Sequence, residues 1–552
     1  MNISISSNGM PIKRICLALA GVGFTALLAG CGGGSSSSVV TPPPPPVVTI
    51  DVFGARGTTL TAQVTSSNCS ATPTVSWQTS GGVALGTGLS IQDTQPASAI
   101  TATATCSTAT ATENLQALSV YNTLAAFAVM QNNSAEAWGN PVWGGQTAAG
   151  EALTNISQLF PSERGFAALL ADSTVQTWGS GYVAVKDPNL TDPSKGAITT
   201  SALTNIASVI PGRVAYFGVK KDGSFVAWGN YRGLITQVDV AMNDATAGLS
   251  ATTLASLTNV KSIASTEGAY AALKADGTVV SFGDPDSGGD SSSVKAQLTG
   301  VTQVVGTNYD FLALRKDGTV VGWTGQFGWA IPTSNQTLSN VNNLTVDGTV
   351  GVATTNSGTA SAFGYTPDVD AADSTSVASL LTGVANIYAT QTSFAALLSN
   401  GNVVSWGDLP RMQASLNTVQ SSLTNVKNIV SSEYAFAALK GDGTVVTWGD
   451  PIVGGDSSKV SAQLTNVVAL TSNKYAFAAL KSNGTVVTWG MASKGGDSSA
   501  VASNLTNVRA IYATPFGAFL AVNKDGTFVN WGDQWAGGGK TPAKLTKIPF
   551  AS

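Results

Sequence analysis

From about residue 113 to the C-terminus, small and apolar residues recur in one pattern. An apolar run meets a polar turn, and a second apolar run ends in an aromatic followed by glycine. AFAALKGDGTVVTWGD (435 to 450) is the clearest copy, with AFAALKSNGTVVTWGM, AYAALKADGTVVSFGD and DFLALRKDGTVVGWTG close behind. The closing aromatics are Trp138, Trp178, Trp228, Phe282, Trp323, Phe363, Trp406, Trp448, Trp489 and Trp531. They mark ten units spaced 40, 50, 54, 41, 40, 43, 42, 41 and 42 residues apart. Two apolar runs around Asp-Gly or Asn-Gly predict a β-hairpin, because that pair supplies positive φ to a tight turn. Upstream, segments such as VKNIVSSE predict a third strand. DSSKVSAQLTNV, with a capping Asp and with Val460 and Leu464 four apart, predicts one helical turn entering that strand. A three-stranded blade cannot hide both faces alone, so neighbouring units must stack, with the recurrent Trp and small AFAAL positions between them.

The repeat A-A-L-K-x-D-G-T-V-x-x-W-G resembles the regulator of chromosome condensation family, in looser form over about 430 residues. The resemblance implies a β-propeller, commonly seven-bladed in that family. The short unit is closer to bacterial members, which include a secreted proteinaceous β-lactamase inhibitor and repeats of large surface proteins. The expected fold class is therefore all-β: a propeller of about ten three-stranded units behind a small disulfide-linked β-sandwich. Ten units depart from seven, which leaves a closed ring, an open spiral or two smaller rings. The terminal Ala543-Lys544-Leu545-Thr546 matches the entry to a further unit, and a segment there would cover sheet edges by pairing with the first blade. Function does not transfer with the fold.

Residues 1–30 read as an export leader: Lys13 and Arg14 precede an apolar run too short to span a membrane, closed by Leu28-Ala29-Gly30-Cys31. That ending resembles a bacterial lipobox, which implies lipidation of Cys31. Gly at position 32 favours the outer membrane by the same resemblance. Residues 31–46 form a Gly/Ser and polyproline tether. Residues 47–112 carry short Val/Thr/Ala-rich runs that predict a β domain, and 113–552 the propeller. In an exported chain Cys69 and Cys106 read as one disulfide. The order Cys69, Trp77, Cys106 resembles an immunoglobulin-like sandwich. Its expected role is a spacer.

Composition then narrows the chemistry. The chain of 552 residues contains no histidine, which excludes Ser-His-Asp and Cys-His catalysis and His-ligated zinc. Charged residues are 11% and the formal net charge is -4; without the leader's two basic residues the count is 25 basic against 31 acidic, or -6. Such a chain is not a nucleic-acid binder. No unique carboxylate pair stands out for glycosidase-type chemistry. The expectation is a non-enzyme without cofactor, attached to the membrane by its lipid.

The sites to test are residues that break the repeat. Trp143, Trp329 and Trp535, with Tyr182, Tyr231, Tyr365 and Phe327, fall on the loop after a closing aromatic and are expected to form a binding rim for a protein or glycan. Asp284, Asp286 and Asp290 on one such loop are weak calcium candidates, the plainer role being to cap the next turn. The function expected is surface recognition by an outer-membrane lipoprotein. The alternative is an inhibitor or periplasmic scaffold with one protein partner, and a carboxylate-based polysaccharide-active enzyme ranks last.

Overall fold

The K-x-D-G-T turn explains the blade from the inside. In unit eight the Gly443 amide donates to the Lys440 carbonyl (3.0 Å) and the Lys440 amide to the Thr444 carbonyl (2.9 Å). This is a type I turn closed by a one-residue bulge, and Gly443 alone takes positive φ (78°). The Asp of the pair does something else: Asp442 Oδ1 accepts from the Thr444 hydroxyl (2.6 Å) and amide (3.0 Å). The same Asp–Thr or Asp–Ser clasp recurs at Asp172, Asp222, Asp276, Asp317 and Asp525.

The computed structural model describes residues 44–146, 153–179, 203–213, 215–229, 251–324, 338–348, 350–364, 374–407 and 415–539. Ten three-stranded antiparallel sheets follow one another from Ser119 to Gly532, each in the order first, second, third strand. Unit eight is typical, with strands Val426–Ser431, Ala435–Lys440 and Val445–Gly449. From unit two onward the segment entering each strand set ends in Leu, Thr or Ser, Asn or Gly, then Val or Ile, most often L-T-N-V. In units two to nine its Asn or Gly adopts positive φ, as at Asn425 (56°) and Gly383 (66°), a conformation these two residue types tolerate best. The entry turn is a short 3-10 helix in several units, such as Ser461–Gln463, and it delivers Leu464 into the core.

Alternation along the second strand assigns its residues to two seams. Phe436 and Ala438 of unit eight join Trp448 in packing back on Ala395 and Leu397 of unit seven. Ala435, Ala437 and Leu439 face forward, against Phe477 and Trp489 of unit nine. Phe436 stacks on Trp448 across the strand pair at 5.1 Å. Seam by seam, a separate hydrophobic core joins units one and two, two and three, and so on through nine and ten. A tenth core joins unit ten (Leu520, Val522) to unit one (Phe127, Val129, Trp138). The ring is therefore closed, as a ten-bladed propeller, and the spiral and double-ring arrangements are excluded. The terminal segment proposed to close it lies outside the described residues. Among the described residues, closure uses the same face-to-face packing as every other seam, with Leu118 as unit one's own entry leucine.

The N-terminal β domain is a sandwich of β1 (Val47–Phe53), β2 (Thr59–Ser67) and β5 (Ser90–Gln92) on one side. On the other lie β4 (Ala84–Thr87), β3 (Thr74–Thr79), β6 (Ile100–Cys106) and β7 (Ala109–Leu115). Cys69 and Cys106 are disulfide-bonded, and Trp77, fully buried beside them, donates its indole N–H to the Gly88 carbonyl (2.9 Å). The domain is more than a spacer, because it is fastened to unit ten. Phe53 enters the core between units nine and ten, and Ala55 packs on the core between units ten and one. Glu113 meets Arg509 at 2.6 Å, Lys524 pairs with Asp51 and covers Phe53, and the Arg56 amide donates to the Tyr512 hydroxyl (2.9 Å). Arg56 itself is buried, paired with Asp93 at 2.6 Å and bonded to the carbonyls of Gln95 and Ser98. With its charge paired and its donors used, this ion pair avoids the several kcal/mol that an unpaired buried guanidinium would cost.

Two seams are volume-matched. Where the closing aromatic shrinks from Trp to Phe282 or Phe363, the preceding unit carries Phe217 or Leu312 at the position that is Ala437 in unit eight. Phe217 lies 4.9 Å from Tyr270 and 5.8 Å from Phe282. Phe217→Ala is expected to cost about 3–5 kcal/mol of stability as a cavity mutation, and Phe282→Trp in the same chain to recover part of it. Thermal and urea unfolding of the two variants check this; a double variant no more stable than the single one would overturn the volume match.

Candidate functional site

Strands run up, down and up in each unit, so the turn between the first two strands and the loop after the third share one face of the ring. The K-x-D-G-T hairpins occupy the opposite face. On the first face the turns bond to one another: Leu124 N–H to Glu163 O, Glu163 to Arg213, Glu267 to Asn308, Gln391 to Glu433, Glu433 to Lys474 and Lys474 to Pro515. Phe516 N–H returns to Leu124 O at 2.9 Å, so this hydrogen-bonded ring also crosses the closure.

The loops after the closing aromatic are built on one plan. Asn140, Asp284, Asp450 and Asp533 cap a 3-10 turn by accepting from the amide two residues on, and Gly144, Gly288, Gly454, Gly495 and Gly537 end such turns at φ 90–104°. Each of these glycines lies flat on the next unit's Phe. A Cβ on Gly454 would sit 2.5 Å from the Phe477 ring, and on Gly537 3.1 Å from Phe127. The next unit's Trp indole N–H then bonds the glycine carbonyl, as Trp489 to Gly454 (3.0 Å) and Trp531 to Gly495 (3.0 Å).

The aspartates of the calcium candidate are used within this plan. Asp284 accepts from the Asp286 amide (3.1 Å) and Ser287 hydroxyl (2.8 Å), Asp290 accepts from the Ser292 amide (2.8 Å), and Asp286 is exposed. Among the described residues no group of three metal-ligating side chains converges. Hydrogen bonds from the serine two residues on, the backbone amide first, hold Asp290, Asp456 and Asp497 below the usual carboxylate range.

Of the expected aromatic rim, Tyr182, Tyr231, Phe327, Trp329 and Tyr365 lie outside the described residues. Trp143 and Trp535 are brought together by ring closure, 5.9 Å apart and edge to face. They are not equivalent positions. Trp143 falls five residues after its closing Trp, where Val453 and Ala536 point inward, and it is half-buried. Trp535 falls four after, where Ile452 points outward, and it is 48% exposed. Phe516 completes a triangle with them, 5.5 Å from Trp143 and 6.0 Å from Trp535. The Arg164 guanidinium lies 5.1 Å over Trp143 and the Lys474 ammonium 5.5 Å over Phe516, so cations flank the three rings. Phe516, Arg164 and Lys474 come from the turn between the first two strands. The signal for them was present as Tyr309, Tyr434, Tyr475 and Phe516 at one repeat position.

Beside this cluster, at the mouth of the ring axis, is a cavity of about 310 Å³. Asn122, Gln391, Ser431, Glu433, Ser472 and Lys474 line it, with Ala389, Ala513 and Pro515. Gln391 is held from both sides: its Nε2 donates to Glu433 Oε1 (2.9 Å) and its Oε1 accepts from the Tyr434 hydroxyl (2.7 Å). Lys474 Nζ stands 3.7 Å from the same Glu433 oxygen. Elsewhere on this ring Arg213 is paired with Glu163 at 2.7 Å and lies 3.6 Å from Glu267.

No family model and no curated protein matches the chain. Among solved structures it is similar to the CRINKLY WD40 ectodomain of the Arabidopsis thaliana receptor kinase ACR4, at 14% identity over 52% of this chain and 97% of that one (TM-score 0.27). It is also similar to yeast RCC1 (Prp20) bound to Kap60, at 13% identity over 60% and 79% (TM-score 0.29). A third is the entire ectodomain of the Physcomitrella patens receptor kinase CR4, at 15% identity over 50% and 73% (TM-score 0.27).

If the loop aspartates are caps, millimolar calcium leaves the melting temperature unchanged; a rise of several degrees would assign them to a metal. The acid side is decided by sign. Carboxylates with lowered folded pKa stabilise above their unfolded value of about 4, and that contribution is lost as pH falls through the lowered value. Replacing Asp290, Asp456 and Asp497 by Asn should therefore shrink the fall in melting temperature between neutral pH and about pH 3.

Proposed function

We propose that the chain is an outer-membrane lipoprotein whose propeller recognises a protein or glycan, without catalysis, through the face where units ten and one meet. One observation carries the reading: Trp143, Phe516 and Trp535 form a continuous aromatic surface flanked by Arg164 and Lys474, with Trp535 half-exposed and Val142 59% exposed beside it. Rigid aromatics with an adjacent Arg are the composition of interface hot spots, because they bury large area while losing little side-chain entropy. The hydrogen-bonded turns and glycine-seated loops beneath them pre-organise that surface.

The leader, Cys31 and the Pro-rich tether support attachment to a membrane, and the Cys69–Cys106 disulfide is in keeping with export. The three- and four-stranded sheets closed over Trp77 support an immunoglobulin-type module, here serving as a foot that fixes the propeller to its tether. Among the described residues the turn carboxylates are engaged: Glu433 by Gln391 and Lys474, and Glu163 by Arg213.

Trp535→Ala removes the most exposed ring without touching a seam core. Cells carrying this variant should capture at least tenfold less of the ligands that wild-type cells retain from host protein and glycan surfaces, while the purified variant melts within a few degrees of wild type. Undiminished capture would rule out this face. Protease treatment of intact cells separates surface display, in which the propeller is removed, from an inhibitor or scaffold protected in the periplasm.

A further inference from the structure

We infer that the axial cavity holds the terminal sugar of a neutral oligosaccharide whose next residues lie across Phe516, Trp535 and Trp143. The inference rests on the recognition surface proposed above and specifies its ligand. Three features of the cavity select this chemistry. Its volume of about 310 Å³ is at the lower bound of ligand pockets, enough for one sugar ring and part of a second. Its two charges stand 3.7 Å apart and compensate each other, so neither a cation nor an anion finds an unpaired counter-charge. The remaining lining mixes amides and hydroxyls, among them Asn122, Gln391, Ser431 and Ser472, with the small apolar Ala389, Ala513 and Pro515, and has no large apolar side chain.

Vicinal hydroxyls need fixed groups that donate and accept side by side. Glu433 offers carboxylate acceptors, while Lys474, with three donors, spends one direction on Glu433 and another over the Phe516 ring. Gln391 is immobilised by Glu433 and Tyr434, so its position is set before a ligand arrives. Not every lining group is available: Asn473 is consumed by the Tyr475 and Ala476 amides and the Lys494 carbonyl, and Ser472 donates to the Ser431 carbonyl. Lys474 joins the two halves of the site, since it lines the cavity and also covers Phe516. The apolar face of a second sugar ring suits the aromatic row beyond it, which a small isolated polar solute would leave unused.

The test uses the full-length lipoprotein in detergent, titrated calorimetrically with glucose, galactose and mannose and with maltotriose, globotriose and mannotriose. At least one trisaccharide is expected to bind, and more tightly than its parent monosaccharide. Glu433→Gln should weaken that trisaccharide at least tenfold. Trp535→Ala should weaken the trisaccharide while leaving the monosaccharide within twofold, because only the longer ligand reaches the rings. Lys474→Met, which keeps the stem, controls for lost packing and should also weaken both. Absence of heat with all six sugars, or a Glu433→Gln protein that binds as wild type does, would overturn the inference. Cell capture that depends on Trp535 and persists without any sugar binding would refute the sugar but keep the recognition surface.

Discussion

The structure depends on one kind of contact, repeated around the ring: the closing aromatic of a unit, stacked in nine of the ten units on a Phe or Tyr of the second strand, pressed against the facing strand of the unit before it and, in the five such loops described, that unit's loop glycine. A stacked Phe436–Trp448 pair offers a flat slab too broad to be covered within a three-stranded sheet. It must be covered by a neighbour, and the neighbour must be smooth. Ala at the facing positions and Gly at the loop crossing provide that smoothness, since a Cβ at Gly454 or Gly495 would fall 2.5 Å from the Phe ring. The recurrence of W-G, G-G and A-x-A in the sequence is thus one steric requirement written three times.

Closure follows from the same contact. Phe127 and Trp138 pack on unit ten as the other pairs pack on their neighbours, with an enlarged core that takes in Leu520 and Val129. A seam that lacks the covalent continuity of the other nine is the weakest part of the ring. The sandwich is fixed there, with Phe53 and Ala55 reaching the cores on both sides of unit ten and Glu113 paired with Arg509. Burial raises the Glu113 carboxyl above its ordinary range despite that partner, a sign that the contact excludes water.

Ten units, their strand order and the entry turn were legible because each has a local cause: a glycine at positive φ, a period-two alternation, a leucine four residues after a valine; the disulfide was legible because Cys69 and Cys106 are the only cysteines after Cys31. What a local pattern does not contain is the pairing of distant parts. Trp143 and Trp535 were singled out on equal terms, yet an offset of one residue from the closing Trp turns one inward and the other outward. Phe516, Arg164 and Lys474 escaped notice because they sit in the turn between the first two strands, whose role emerges only once ten turns are brought to one axis. The sandwich's attachment to unit ten joins residues more than 390 apart in sequence, Glu113 and Arg509, and no short motif encodes it.

The division of labour between the two faces follows from what each turn must satisfy. On the hairpin face, Asp and Thr bond to each other within five residues, so a side chain there is spent on its own turn. On the other face the backbone amides bond from unit to unit, the first residue of the turn closes it with its side chain, as Thr390, Ser432 and Asn473 do, and the residues at the tip are not used for that task. Glu163, Arg213, Gln391, Glu433, Lys474 and Phe516 all occupy such positions, and they differ from unit to unit where the hairpin face repeats itself. A repeat protein can vary chemistry only where its architecture does not consume the side chain. That condition holds at the ring of inner turns and at the outward position of the loops, and both meet at the seam between units ten and one.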